Sequence, residues 1–177
     1  MGSEMCIRDR SKKIAKRIGA DQTLAERAAL ISKSDLITDM VGEFADLQGI
    51  MGRYYAIADG EHPDVAEAQL EQYLPRFSGD DVPATAVGAT LAISDKLDTI
   101  VGIFSIGQQP SGSRDPFALR RASLGVLRII INRAIDLDLN DAINIAGNQL
   151  KLDNKALELI RKQVLAYVLE RFKSWYK

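Results

Sequence analysis

The chain has 177 residues, 46% hydrophobic and 6% aromatic, with a formal net charge of −1. That is long enough for one globular domain with a real core, and too neutral for bulk charge to favour nucleic acid or a membrane surface. One cysteine, Cys6, excludes an internal disulfide framework and a thiolate-cluster metal site and suits a reducing, cytoplasmic compartment, while no stretch nears the roughly 20 apolar residues of a membrane span.

The start, "MGSEMCIRDR", lacks the apolar segment of a secretory signal and reads as a leader or a sequence-assembly artefact over residues 1–10, set apart from the fold. Residues 11–19 place Ile14, Ala15 and Ile18 at helical spacing up to Gly19, and Asp21 can cap a second helix through Leu24, Ala28 and Ile31. "SKSD" (32–35) is a variant capping box that predicts a break. Beyond it, Leu36, Met40, Phe44, Leu47 and Met51 share one face of a long helix over 35–57. Gly42 and Gly49 lie inside that segment, which predicts a bend or the close approach of another backbone.

"DGEHP" (59–63) is a turn, with Asp64 as the expected cap of a helix through Tyr73, and "SGDDVP" (78–83) is a loop. A long helix is predicted from about Ala84 to Phe104, then a Pro/Gly/Ser-rich loop over 107–116. The next helix begins with Pro116 at or near its first turn, where a missing N–H costs nothing. "DLDLND" (136–141) leads into a short helix ending near Leu150, and a last helix covers roughly 154–176. No strand pattern and no internal repeat is present, so the fold class is all-α, a bundle of about seven helices.

Several chemistries are out of reach. The one histidine, His62, lies in a turn beside a proline, so no histidine metal site can be assembled, and a Ser-His-Asp arrangement would need His62 deep in a cleft where the pattern favours a solvated turn. No phosphate-binding Gly-x-x-x-x-Gly-Lys loop occurs. Acidic pairs such as Asp95/Asp98 and Asp39/Glu43 have the spacing of a solvated helix face. No catalytic residue is assigned.

Charge is nevertheless uneven: residues 61–116 hold nine acids against three bases, whereas 117–135 hold four arginines and no acid. In "DPFALRRASLGVLRII" (115–130), Arg121, Gly125, Arg128 and Asn132 step by four, three and four residues, forming a stripe opposite Leu119, Leu127, Ile130 and Ala134. A glycine between two arginines predicts a shallow notch flanked by guanidinium forks, open to a phosphodiester or to another helix. The alternative pairs these arginines with Asp35, Asp39, Glu43, Asp95 or Asp98 across a helix contact. Lys96, Arg114 and Arg120 could enlarge the patch, each read alone as an ordinary surface residue. Asp115 competes with any phosphate for the N–H groups at the start of this helix.

"AALISKSDLITDMVGEFADLQGIMGRYYA" (28–56), "QYLPRFSGDDVP" (72–83), "ISDKLDTIVGIFSIGQQPSGSRDPFALRRASLGVLRIII" (93–131) and "VLERFKSWY" (168–176) resemble the β subunit of bacterial tetrameric glycine–tRNA ligase, from about Ser11 to the end of the chain. The family's β subunit is several times longer. The resemblance therefore implies an internal piece, with residues 11–153 as an HD-like helical domain and 154–177 as the possible start of an anticodon-binding domain. It also implies an α subunit that carries ATP, magnesium and glycine activation, and a β subunit that serves tRNA binding and assembly. The implied partners are tRNA(Gly), the α subunit and the remainder of the β subunit, and this chain holds no cofactor.

Active HD phosphohydrolases bind metal through a His-Asp pair and a later Asp. Aligned on "AALISKSD", the resemblance sets that pair on Ser32 and Lys33, and it sets Asp95 of "AISDKLD" at the last ligand. One carboxylate beside a lysine cannot hold a metal, so the implied domain is a degenerate one. A role within a tRNA-handling subunit shifts the arginines toward phosphate contact, with Arg114, Arg120, Arg121, Arg128 and Lys96 as the candidates.

Overall fold

Helices make up most of the described residues, as the 3.6-residue periodicity predicts. The computed structural model describes residues 3–110, 115–150 and 152–175, with side chains from residue 7 onward. The α-helices are α1 (Ser3–Ile18), α2 (Gln22–Leu30), α3 (Asp39–Glu43), α4 (Ile50–Ala58), α5 (Pro63–Glu71), α6 (Ala86–Ser105), α7 (Leu119–Asn132), α8 (Leu139–Gly147) and α9 (Asn154–Trp175). No strand occurs among the described residues.

The axis of the bundle is α6. Thr85 caps it through the Gly88 N–H, and both of its ends reach apolar partners. Toward its start, Val87 and Leu91 pack with Ala28 and Ala29 of α2 and with Val65 and Ala68 of α5. Further along, Ile93, Leu97, Ile100 and Phe104 pack with Ile14 of α1, Val126 and Ile129 of α7, and Ile143 of α8. Ile160, Val164 and Val168 of α9 lie in that same core, so α9 is packed against the helices that precede it. Phe104 meets Tyr167 edge to face at 5.4 Å.

Five sequence expectations are corrected. The first helix starts at Ser3 rather than at residue 11: nothing in that stretch breaks a helix, and Ile7 and Arg10 are buried. The long helix over 35–57 is broken into a 3₁₀ turn at Ser34–Ile37, α3, a second 3₁₀ turn at Ala45–Leu47, and α4. Two caps cause the break. Thr38 Oγ1 accepts from the Val41 N–H, and the buried Asp35 carboxylate accepts from the N–H groups of Gly49 (2.7 Å) and Gly52 (3.2 Å). As a result Leu36, Met40 and Phe44, expected on one face of a single helix with Leu47 and Met51, are exposed on separate segments.

The other three corrections concern helix ends. His62, not Asp64, caps α5: its Nδ1 accepts from the Asp64 N–H at 3.2 Å, with Pro63 in the first turn. Pro116 lies in the turn before α7 rather than inside it, and Ala134 lies beyond its end.

Candidate nucleic-acid interface

At the start of α7, Asp115 accepts from the N–H groups of Leu119 (2.8 Å) and Arg120 (2.9 Å). Those donors are therefore taken by the chain's own carboxylate, as its sequence position predicts. Leu119, Val126 and Ile129 turn the opposite face of the helix into the core.

The arginine stripe is real but its members differ. Arg128 is half-buried and donates to the carbonyl oxygens of Phe77 (3.1 Å) and Asp80, which ties α7 to the 77–80 loop. Arg133 likewise donates to the Ala84 carbonyl. Arg120 is partly buried, whereas Arg121 is exposed and makes no hydrogen bond or ion pair with the described residues. Arg114 lies outside the described residues. The expected pairing of Arg121 and Arg128 with Asp35, Asp39, Glu43, Asp95 or Asp98 is not what the chain adopts. Asp98 pairs with Arg10, Asp95 pairs with Lys33, and Asp35 caps α4.

The notch at Gly125 is filled from within. A Cβ there would meet Lys96 Cε at 2.8 Å and Pro75 Cδ at 3.6 Å, so the lysine stem lies where a phosphate or another helix was expected to fit. Lys96 is 9% exposed, which corrects its reading as an ordinary surface cation. Its Nζ donates to the Gln72 carbonyl at 3.2 Å. Burial pushes its amine down to about 8; Asp95 opposes that shift and Lys33 adds to it.

Beside Lys96 lies a cavity of about 470 Å³, which Tyr73, Arg76, Asp95, Lys96 and Arg121 help to line. The Lys33 ammonium donates to the Asp95 carboxylate, while Ser32 turns away and donates to the Ala29 carbonyl at 2.7 Å. Two of the three positions set by the HD resemblance thus meet as an ion pair. No group of three or more His, Cys, Asp or Glu that could hold a metal occurs among the described residues. Burial pushes the Tyr73 phenol up to about 12.

Two neighbours of this cavity escaped the sequence reading. Arg76 forms a bidentate contact with Asp80, whose Oδ2 also accepts the Arg76 N–H at 2.7 Å, and this arginine holds the Asp80 carboxyl below its ordinary range. Its guanidinium also lies 5.8 Å from the centre of the Phe77 ring. The available signal was "PRF" (75–77), a cation and an aromatic placed together between a proline and Gly79, which spacing along helices does not sample.

The described residues are mainly helical and bring Arg76, Arg121 and Arg128 close to the exposed ring of Phe77. Comparison with known proteins sets the chain among the aminoacyl-tRNA synthetases. The family model described as glycyl-tRNA synthetase beta subunit matches residues 1–177, and the chain belongs to that family. It is 55% identical over 169 residues to a glycine–tRNA ligase beta subunit of Marinobacter nauticus, covering 94% of this chain and 24% of that relative. It is 56% identical over 162 residues to the corresponding subunit of Chromohalobacter salexigens (92% and 23%), and 54% over 164 residues to that of Pseudomonas fluorescens (93% and 24%). The chain thus spans about a quarter of the length of these relatives. No helix among the described residues is long and apolar enough to cross a membrane.

Proposed function

We propose that this chain is a tRNA-contacting segment of a cytoplasmic glycine–tRNA ligase β subunit. It supports glycyl-tRNA formation while ATP, magnesium and glycine are handled by the α subunit. The observation that carries this reading is Arg121: an exposed guanidinium without a protein partner among the described residues, on the rim of a cavity that also holds Arg76. Phosphate contacts position RNA and release counterions, so they weaken with salt. The domain is a degenerate HD-like one on this reading, because the Lys33 ammonium occupies the Asp95 carboxylate that a metal would need.

The test is tRNA(Gly) affinity of the intact ligase carrying Arg121→Glu in its complete β subunit. The substitution is expected to weaken binding at least tenfold at low salt, with the gap narrowing as salt rises. An unchanged affinity at both salt concentrations would overturn the reading. Arg121 is the better site for this charge reversal, because changing Arg128 also releases the 77–80 loop.

A second reading, a structural or docking module without RNA contact, is favoured by Ile37 (90% exposed) and Phe44 (61% exposed) on the broken 34–47 segment. Ile37→Asp should then impair association with the α subunit or stability of the β subunit, and leave tRNA affinity in assembled enzyme intact.

A further inference from the structure

Arg121 and Pro75 belong to two cavities at once. On one side lies the polar cavity of Tyr73, Arg76, Asp95 and Lys96. On the other is a groove of about 570 Å³ with Phe77, Leu124, Arg128 and Trp175 in its walls. That volume is in the range of pockets that enclose a drug-sized ligand.

The two aromatics are only partly covered: Phe77 is 58% exposed and Trp175 42%. Phe77 is nevertheless held in place. Arg128 bonds the carbonyls at both ends of its loop, the Arg76 guanidinium stands over its ring, and Arg76 is fixed in turn by Asp80. The loop thus presents an exposed ring in the same groove as an arginine with no protein partner among the described residues.

We propose that this groove takes an unpaired nucleotide of RNA, its base against Phe77 and Trp175 and its phosphate on Arg121. The proposal rests on the tRNA-contact reading and sharpens it. A double helix keeps its bases stacked inside and offers a protein its phosphates and 2′-hydroxyls, so aromatic rings in a groove have no base face to engage there. Single strands are bound by the combination present here, a cationic track beside aromatic platforms on which bases stack. The aromatics set the choice between the two forms of RNA, and the arginines supply affinity for both.

The experiment uses the intact ligase with Phe77→Ala, Phe77→Trp or Arg121→Ala in its complete β subunit. The probes are labelled tRNA(Gly), a single-stranded hexauridylate and a short RNA duplex, each at two salt concentrations, with circular dichroism to check the fold. Phe77→Ala is expected to weaken tRNA and hexauridylate binding about five- to tenfold with the salt dependence unchanged. Phe77→Trp should retain binding, and duplex affinity should not respond to either. Arg121→Ala should weaken all three probes and lower the salt slope by about one phosphate contact.

Wild-type affinity of Phe77→Ala for tRNA and hexauridylate overturns the proposal, and so does an equal loss for the duplex. If Phe77→Ala instead loosens subunit association while RNA affinity holds, the groove belongs to a protein partner and the proposal also fails. An effect of Arg121→Ala without one of Phe77→Ala overturns the nucleotide groove and leaves the tRNA-contact reading standing. No effect of either removes the tRNA-contact reading with it.

Discussion

The buried carboxylate of Glu71 lies against Gly88 across the α5–α6 junction: a Cβ at Gly88 would come within 2.7 Å of the Glu71 Cβ. The same carboxylate accepts from the Ala84 N–H at 2.6 Å, from the Thr85 N–H at 3.2 Å and from Thr85 Oγ1 at 2.5 Å. One side chain from α5 therefore closes the chain entering α6, and a glycine one turn into that helix makes room for it.

Gly88→Ala should accordingly destabilise the chain even though alanine is the better helix former. The propensity gain is about 1 kcal/mol. Overpacking against a Cβ, which cannot swing aside as a side-chain tip can, costs about 1–3 kcal/mol, and the displaced carboxylate loses its donors. Glu71→Ala removes the acceptor of the Ala84 and Thr85 N–H groups at a partly buried junction, at a cost of about 1–3 kcal/mol. Urea denaturation of each variant gives both numbers; a midpoint at or above wild type for Gly88→Ala would show that α5 yields freely at this junction.

Gly42 and Gly49 looked equivalent in the sequence and should behave oppositely. Gly49 has φ +80°, and a Cβ would meet the Tyr73 ring at 2.7 Å and the Gln69 carbonyl at 3.1 Å, so Gly49→Ala should cost about 2–4 kcal/mol. Gly42 is helical and open, with nothing within 4 Å of where an alanine methyl would sit, and Gly42→Ala should stabilise by a few tenths to about 1 kcal/mol. Thermal melting of the two variants side by side reads the difference directly.

Legibility in the sequence divides along the same line. The helices α6 and α9 announce themselves because local signals agree: long periodic apolar runs with a Thr85 cap or an Asp153 side chain at their starts. The 34–58 stretch misleads because its decisive bond is tertiary, with Asp35 reaching across fourteen and seventeen residues to Gly49 and Gly52. At the interface, the exposure of Arg121 follows from its helix face, whereas the burial of Lys96 follows from Pro75 and a glycine on another helix. Phe77 gives no periodic signal at all, since a loop residue has no face until its anchors, Arg76 and Arg128, are known.

Lys96 supplies a prediction with a pH signature. Its amine is lowered by burial from 10.5 to about 8. Between those values the unfolded chain holds a proton there that the folded chain has released, so the contribution of Lys96 to stability rises with pH across that window. Below pH 8 the ammonium is charged in both states and the whole burial cost is felt. Lys96→Met keeps the stem over Gly125, removes the charge and loses the bond to Gln72. It should stabilise by about 1–3 kcal/mol at pH 7, with the advantage shrinking toward pH 10. Paired denaturation curves at the two pH values test it, and an advantage that grew with pH would place the charge elsewhere.

The Lys33–Asp95 ion pair should prove asymmetric. Asp95 is the more buried partner and also faces Lys96, whose amine it helps to keep charged. Lys33→Met removes one cation from a cluster that still holds Lys96, and it relieves the repulsion between the two amines, so its cost should stay below about 1 kcal/mol. Asp95→Asn instead leaves Lys33 and Lys96 facing each other without their shared carboxylate. That variant should lose about 2 kcal/mol. Adding Lys96→Met to Asp95→Asn should then recover more stability than Lys96→Met gains in the wild type, because the buried charge it removes no longer has a counterion. A double-mutant cycle by urea denaturation at pH 7 measures that coupling. Strictly additive effects would mean that Asp95 acts on Lys33 alone and that the buried amine is sheltered from both.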